Sequence, residues 1–172
     1  LIATQLIDAG AIACCVSLGG DVRVAGQAPE GGWRIPVERP DRTALGAPGP
    51  TWFDATLGHG AIVTSTTRLR RWRTIDGHDA HHLIDPHSGR PSRSGVTSAV
   101  VVAAEAWWAE SLAKAALLAG PVEGRRLLDR HGAQGWLEPA GAPRPADAEG
   151  STPGTRARHP RGVIDRSVDA TA

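Results

Sequence analysis

Residues 81–92 read HHLIDPHSGRPS, and no α-helix can hold them. A proline inside a helix removes a backbone donor and clashes with the preceding turn, and here Pro86 and Pro91 stand either side of Gly89. A strand could take HHLI at most. The stretch therefore predicts a short strand running into a rigid polar turn, which is either a surface corner or part of a site. Taken bare, its chemistry is undecided. A histidine beside a turn is usually solvated, and an aspartate before proline, as Asp85 before Pro86, commonly opens a turn.

The rest of the chain is mostly strand-like. LIATQLIDAGA (1–11) reads as the second half of an amphipathic helix closed by Gly10. IACCVSL (12–18) is a continuous apolar run suited to a buried strand. GGD and VRVAG follow, then a QAPEGG turn and WRIPVE (33–38), whose Pro36 favours a sheet edge. These three strands read as a β-meander. A loop is expected over 39–50, then strands in TWFDATL and GAIVTST around Gly58-His59-Gly60, and a turn closing RLRRWRTIDG. GVTSAVVVAA (95–104) is strongly β-prone. EAWWAESLAKAALLAG (105–120) is the clearest helix, ending at Gly120-Pro121, with a shorter helix in VEGRRLLDRHG and a last strand in AQGWLE. Beyond residue 138 Pro, Gly, Ala and charge dominate, so 1–138 is expected to be one domain and 139–172 a disordered tail.

Charge and cysteine content narrow the function. With 19 basic and 18 acidic residues the net charge is +1, which argues against a nucleic-acid surface. No apolar run approaches the length of a membrane span. Cys14 and Cys15 are adjacent, so in a strand they point to opposite faces and a mutual disulfide is not expected. Reduced cysteines favour the cytoplasm. Without a second cysteine cluster a structural zinc site is not expected. A chain of 172 residues that begins at Leu1 and holds no Met reads as a piece of a longer product.

The order of the pieces is more telling than any one of them. SLGGDVRVAG, WRIPVE, AIVTSTTRLRRW, HHLIDPHSGRP and VTSAVVVAAEAWWAESLAKAALLAG follow one another over residues 1–137. Together they resemble the ApbE family, the FAD:protein FMN transferases. That family shows a GGD turn, a T-S segment, an H-x-x-D-P-x-[ST]-G-x-P block, a V-T-V strand and an A-D-x-x-A-T helix. The block is matched by His82, Asp85, Pro86, Ser88, Gly89 and Pro91. The resemblance implies an α+β fold, an antiparallel or mixed sheet with packed helices in a T-fold-like domain, here its C-terminal portion. It further implies FAD as substrate, a Mg²⁺ cofactor, and transfer of FMN to a threonine hydroxyl of a target flavoprotein with release of AMP.

Carried onto this chain, the resemblance gives His82 and Asp85 as catalytic residues. Cofactor contacts fall to Gly19, Gly20, Asp21, Ser65, Val96 and Thr97. The family's two metal ligands on the helix match Glu110 and Lys114, four residues apart and so on one face. Lys114 departs from the pattern, because a protonated amine cannot ligate a metal. The T-S segment appears as Thr64, Ser65 and Thr66 without its glycine, and Ser17 stands near the usual Asn ahead of GGD. Two other functions stay open at this point: a flavin-binding module that has lost transfer, and a Mg²⁺-dependent FAD pyrophosphatase with water as acceptor. A Rossmann oxidoreductase is disfavoured, since no G-x-G-x-x-G follows a strand.

Overall fold

A computed structural model describes residues 2–40 and 51–142 and the backbone of Val163–Ile164. Its centre is a five-stranded antiparallel sheet in the order β1-β2-β5-β10-β11, built from Ala13–Leu18, Asp21–Gly26, Gly60–Thr66, Val96–Ala103 and Gln134–Pro139. A second sheet pairs β3 (Trp33–Glu38) with β4 (Thr51–Leu57), and a two-residue strand, β12 (Val163–Ile164), runs parallel to β4. Two small hairpins complete the strands: β6 (Arg71–Arg73) with β7 (Asp79–His81), and β8 (Ile84–Asp85) with β9 (Arg90–Pro91).

Alternation along the central strands makes two cores. Val63, Ala99 and Val101 face one way, onto helix α2 (Ala106–Arg130), where Ala109, Leu112, Ala113, Ala116 and Leu117 recur at helical spacing. Ile62, Val100 and Val24 face the other way, onto Ile35, Val37, Ala55 and Leu57 of the β3–β4 layer. The sheet is thus sandwiched between a helix and a β-ribbon. Leu57 and Leu117 are fully buried, each stabilising the fold by about 2 kcal/mol.

The helix break expected at Gly120-Pro121 is present as a kink inside α2. Gly120 adopts φ 88° and ψ −179°, and a Cβ there would lie 2.9 Å from the Ser94 carbonyl oxygen. Only glycine meets both demands. Pro36 lies on an edge strand, as its missing N–H requires.

Two expectations are corrected. The first three strands are not a meander: β1 and β2 pair as a hairpin, but β5 takes the free edge of β2, and β3 turns away to cover the sheet with Ile35 and Val37. The run 12–18 is not a fully buried strand either. β1 is the edge of the sheet, and α1 (Ile2–Asp8) covers only one of its faces, so Cys14 is buried against Ala3 and Ala25 while Cys15 is exposed. Both thiols are free, on opposite faces. The tail expected over 139–172 falls mostly outside the described residues, but Pro139 ends β11 and the backbone of β12 is paired. The loop expected over 39–50 lies outside them from residue 41. Among the described residues no helix is long and apolar enough to cross a membrane.

Candidate functional site

Gly19 and Gly20 form the two-residue turn between β1 and β2, with φ of 64° and 99°. Two successive positive φ angles define the tight hairpin turn that glycine pairs favour. Their Cβ positions meet nothing within 4 Å, so the glycines serve the turn rather than a close approach within the chain. Asp21 leaves this turn as the first residue of β2. Its carboxylate accepts the Thr64 backbone N–H of β5. Burial and the neighbouring Glu110 push this carboxyl above the usual carboxylate range, while the Thr64 hydrogen bond and Lys114 pull it back.

Glu110 and Lys114 come from α2, one turn apart beside the small buried residues Ala109 and Ala113. Lys114 Nζ donates to Glu110 Oε1 at 2.6 Å. The charge of the same ammonium also acts on His82. His82 is partly buried, and its Nδ1 has no hydrogen-bond partner among the described residues. Burial lowers its pKa, and the charge of Arg70, the neighbouring His81 ring and the Lys114 ammonium lower it further, which favours the neutral ring. Arg70 carries the only positive φ among the described non-glycine residues, 48°, a left-handed conformation that side chains avoid at a cost of about 1 kcal/mol.

The other two histidines of the block have different tasks. His81 Nδ1 accepts the Leu83 N–H, which leaves the proton on Nε2 for the Ser92 carbonyl 3.0 Å away. His81 therefore ties β7 to the segment after β9. His87 lies on the exposed turn. Asp85 does not turn toward His82. Its oxygens accept the His87 N–H at 3.0 Å and the Ser88 hydroxyl at 2.8 Å, and these bonds hold its carboxyl below the usual range. Asp85 thus stiffens the turn, and a catalytic role for it finds no support in this geometry. Beyond it, a cavity of about 1090 Å³ opens between this turn and α2, lined in part by His78, Arg90, Arg93 and Glu123 but not by His82.

Three expected cofactor residues lie apart from the cluster or are sealed. Ser65 is buried on the helix-facing side of β5, opposite Ala99. The Val96 side chain sits in the helix core, and its N–H goes to Ser94 Oγ at 3.3 Å. Thr97 occupies a bulge in β10, where its hydroxyl donates to Glu138 Oε2 at 3.0 Å and its carbonyl accepts from Thr66 and Thr67. Glu138 is 2% exposed and faces Arg39 at 2.9 Å and Arg68 at 3.2 Å. The Val96 side chain and the Thr97 hydroxyl are thus engaged within the chain.

A model of the ApbE family matches residues 1–137. The chain belongs to the ApbE family. Among curated proteins it is 27% identical over 118 residues to the FAD:protein FMN transferase of Escherichia coli K12, and 30% identical over 118 residues to that of Vibrio cholerae. Those alignments take in 68% and 66% of this chain but 32% and 33% of the relatives, so the chain spans about a third of their length. Among solved structures it is similar to an ApbE protein from Thermotoga maritima, with a TM-score of 0.59 and 29% identity over 73% of this chain and 39% of that one. The flavin transferase ApbE from Vibrio cholerae gives a TM-score of 0.60 and 26% identity over 79% and 41%. The expected α+β ApbE fold is thus the fold of this chain.

The ApbE pattern raises the question of Mg²⁺, and the donor set can be tested. Among the described residues no three His, Cys, Asp or Glu side chains gather as a metal cage. Of the two carboxylates that do approach, Glu110 is already bonded to an ammonium. Lys114 offers no lone pair while protonated. The residues present do not fit Mg²⁺. The sequence assigned Asp21 to the cofactor, Glu110 and Lys114 to a metal and His82 to catalysis; in the structure the charges of Glu110 and Lys114 act on Asp21, and that of Lys114 on His82. Sequence reasoning missed Arg70, which is one of several arginines in RLRRWR with nothing local to single it out. It also missed Arg23, whose guanidinium pairs with Glu105 at 3.0 Å ahead of α2 and approaches His59 at 3.2 Å.

Proposed function

We propose that this chain supplies the C-terminal part of a FAD:protein FMN transferase. The observation that carries the reading is His82: its Nδ1 has no hydrogen-bond partner among the described residues, and burial with the charges of Arg70 and Lys114 lowers its pKa. A neutral imidazole near cations suits a base beside an anionic substrate. In the reaction the threonine oxygen of a target flavoprotein attacks the FMN phosphorus of FAD. The bond from that phosphorus to the bridging oxygen breaks, AMP leaves with that oxygen, and FMN becomes esterified to the threonine. His82 takes the hydroxyl proton, and Arg70 and Lys114 stabilise the charge that develops on the phosphate oxygens. Asp85, Pro86 and Pro91 hold the backbone that aims His82. FAD and the flavoprotein are the partners, as the names of the curated relatives suggest.

The test uses the protein that carries this chain, incubated with FAD and a flavoprotein bearing an acceptor threonine. Mass spectrometry follows covalent FMN on the target. The expected result is a mass gain that falls by about 10²-fold or more in His82→Ala, the range for loss of a general base. FAD bound without transfer would leave a binding module. FMN and AMP released without attachment would make water the acceptor.

A further inference from the structure

Asp21 and Glu110 come from different elements, a strand start and a helix face, and the charge of Glu110 adds to burial in raising the Asp21 carboxyl. Repulsion between neighbouring carboxylates is relieved by a cation or by taking up a proton. The ApbE pattern has hydroxyl and carboxylate side chains at the helix positions, the donors of a hard metal ion. This chain has an ammonium there instead. Lys114 Nζ lies 2.6 Å from Glu110 Oε1, and both side chains are 46% exposed, so the contact is open to competition from solvent ions. An ammonium in that place uses the oxygens a divalent ion would need and adds its own repulsion to that ion.

We propose that the Lys114 ammonium is the resident cation of the Asp21–Glu110 pair, and that this pair takes no divalent ion. The inference deepens the transferase reading, which supplies the flavin nucleotide whose phosphates this charge would face. It stands, however, on the carboxylates and the ammonium themselves. Its consequence is a phosphate site whose cation is part of the chain, fixed in number and unaffected by chelators.

Mn²⁺ is the probe, and the free-ion signal in electron paramagnetic resonance is the readout. Three forms of the protein are compared: the parent, Lys114→Thr, and Glu110→Gln combined with Lys114→Thr. The parent is expected to leave the Mn²⁺ signal as that of the free ion. Lys114→Thr exposes the carboxylate pair and is expected to bind Mn²⁺ about tenfold or more tightly than the parent, in line with the dependence of affinity on ligand charge. The double variant is expected to lose the gain. Equal binding by parent and Lys114→Thr overturns the proposal, because the lysine would not be excluding the ion. Equal binding by Lys114→Thr and the double variant also overturns it, because the pair would not be a cation site. Failure of the transferase reading appears separately, as absent covalent FMN, and leaves the Mn²⁺ readout unaffected.

Discussion

Two polar clusters flank the same sheet, and they are built to opposite ends. Around Glu138 every charge faces inward: Arg39, Arg68 and Thr97 surround a carboxylate that is 2% exposed, and Arg39 also lies over the Trp52 ring. Around Asp21 the charges stay half open, and the His82 Nδ1 has no partner among the described residues. The first cluster holds β10 to β11 and both to the segments that follow β3 and β5. The second has spare hydrogen-bonding capacity at moderate burial. A polar group left unmatched beside a solvent-accessible cluster costs stability unless a ligand completes it. The contrast separates scaffold from site more sharply than residue type does, since both clusters are made of carboxylates and cations.

Breaking the scaffold cluster is expected to have the largest effect on stability. Glu138→Ala removes the carboxylate that both guanidiniums face, and a loss of about 3 kcal/mol is expected from leaving buried charge unpaired. Urea denaturation followed by Trp fluorescence measures it; a loss near zero would mean that the arginines re-solvate freely. Thr97→Val is milder. It removes one hydroxyl from the same network and is expected to cost about 1 kcal/mol by the same measurement. The open cluster should respond differently. His82→Ala is expected to leave stability within about 0.5 kcal/mol, since the ring's Nδ1 has no partner to lose among the described residues.

The smallest effect sharpens the comparison electrostatically. His82 should titrate below the ordinary 6.5, followed by its ring proton resonance. The sign for folding follows directly. Because the unfolded ring takes a proton first, the unfolded state binds more protons as pH falls through 6.5, and folding is weakened below that point. Arg70→Ala or Lys114→Ala should move the midpoint upward by removing a repelling charge. An unmoved midpoint in both would mean that burial alone sets it.

The parts of the fold legible in the sequence were those with a local physical cause. Gly19-Gly20 fixes a hairpin through its backbone angles, Gly120-Pro121 fixes a kink, and the 109–117 spacing fixes a buried helix face. Pairings that depend on distant residues were not legible. Whether β2 accepts β3 or β5 depends on which layer buries Ile35 and Val37, and no local signal carries that. Glu138 looked like an ordinary strand-end acid because its partners lie about 70 and 100 residues away. The ordered motifs name candidate site residues, but the contacts each of them makes are not legible from the motifs. The motif that names Asp85 does not reveal that its oxygens are spent on its own turn.

The doubly covered strand β10 has one further consequence. It hydrogen-bonds β5 on one side and β11 on the other, while Val101 belongs to one core and Val100 to the other. Neither core can melt while leaving its neighbour intact, because each would take β10 with it. Helix layer and ribbon layer therefore share a single transition, and local opening is confined to the edge hairpins and to α1 with β1.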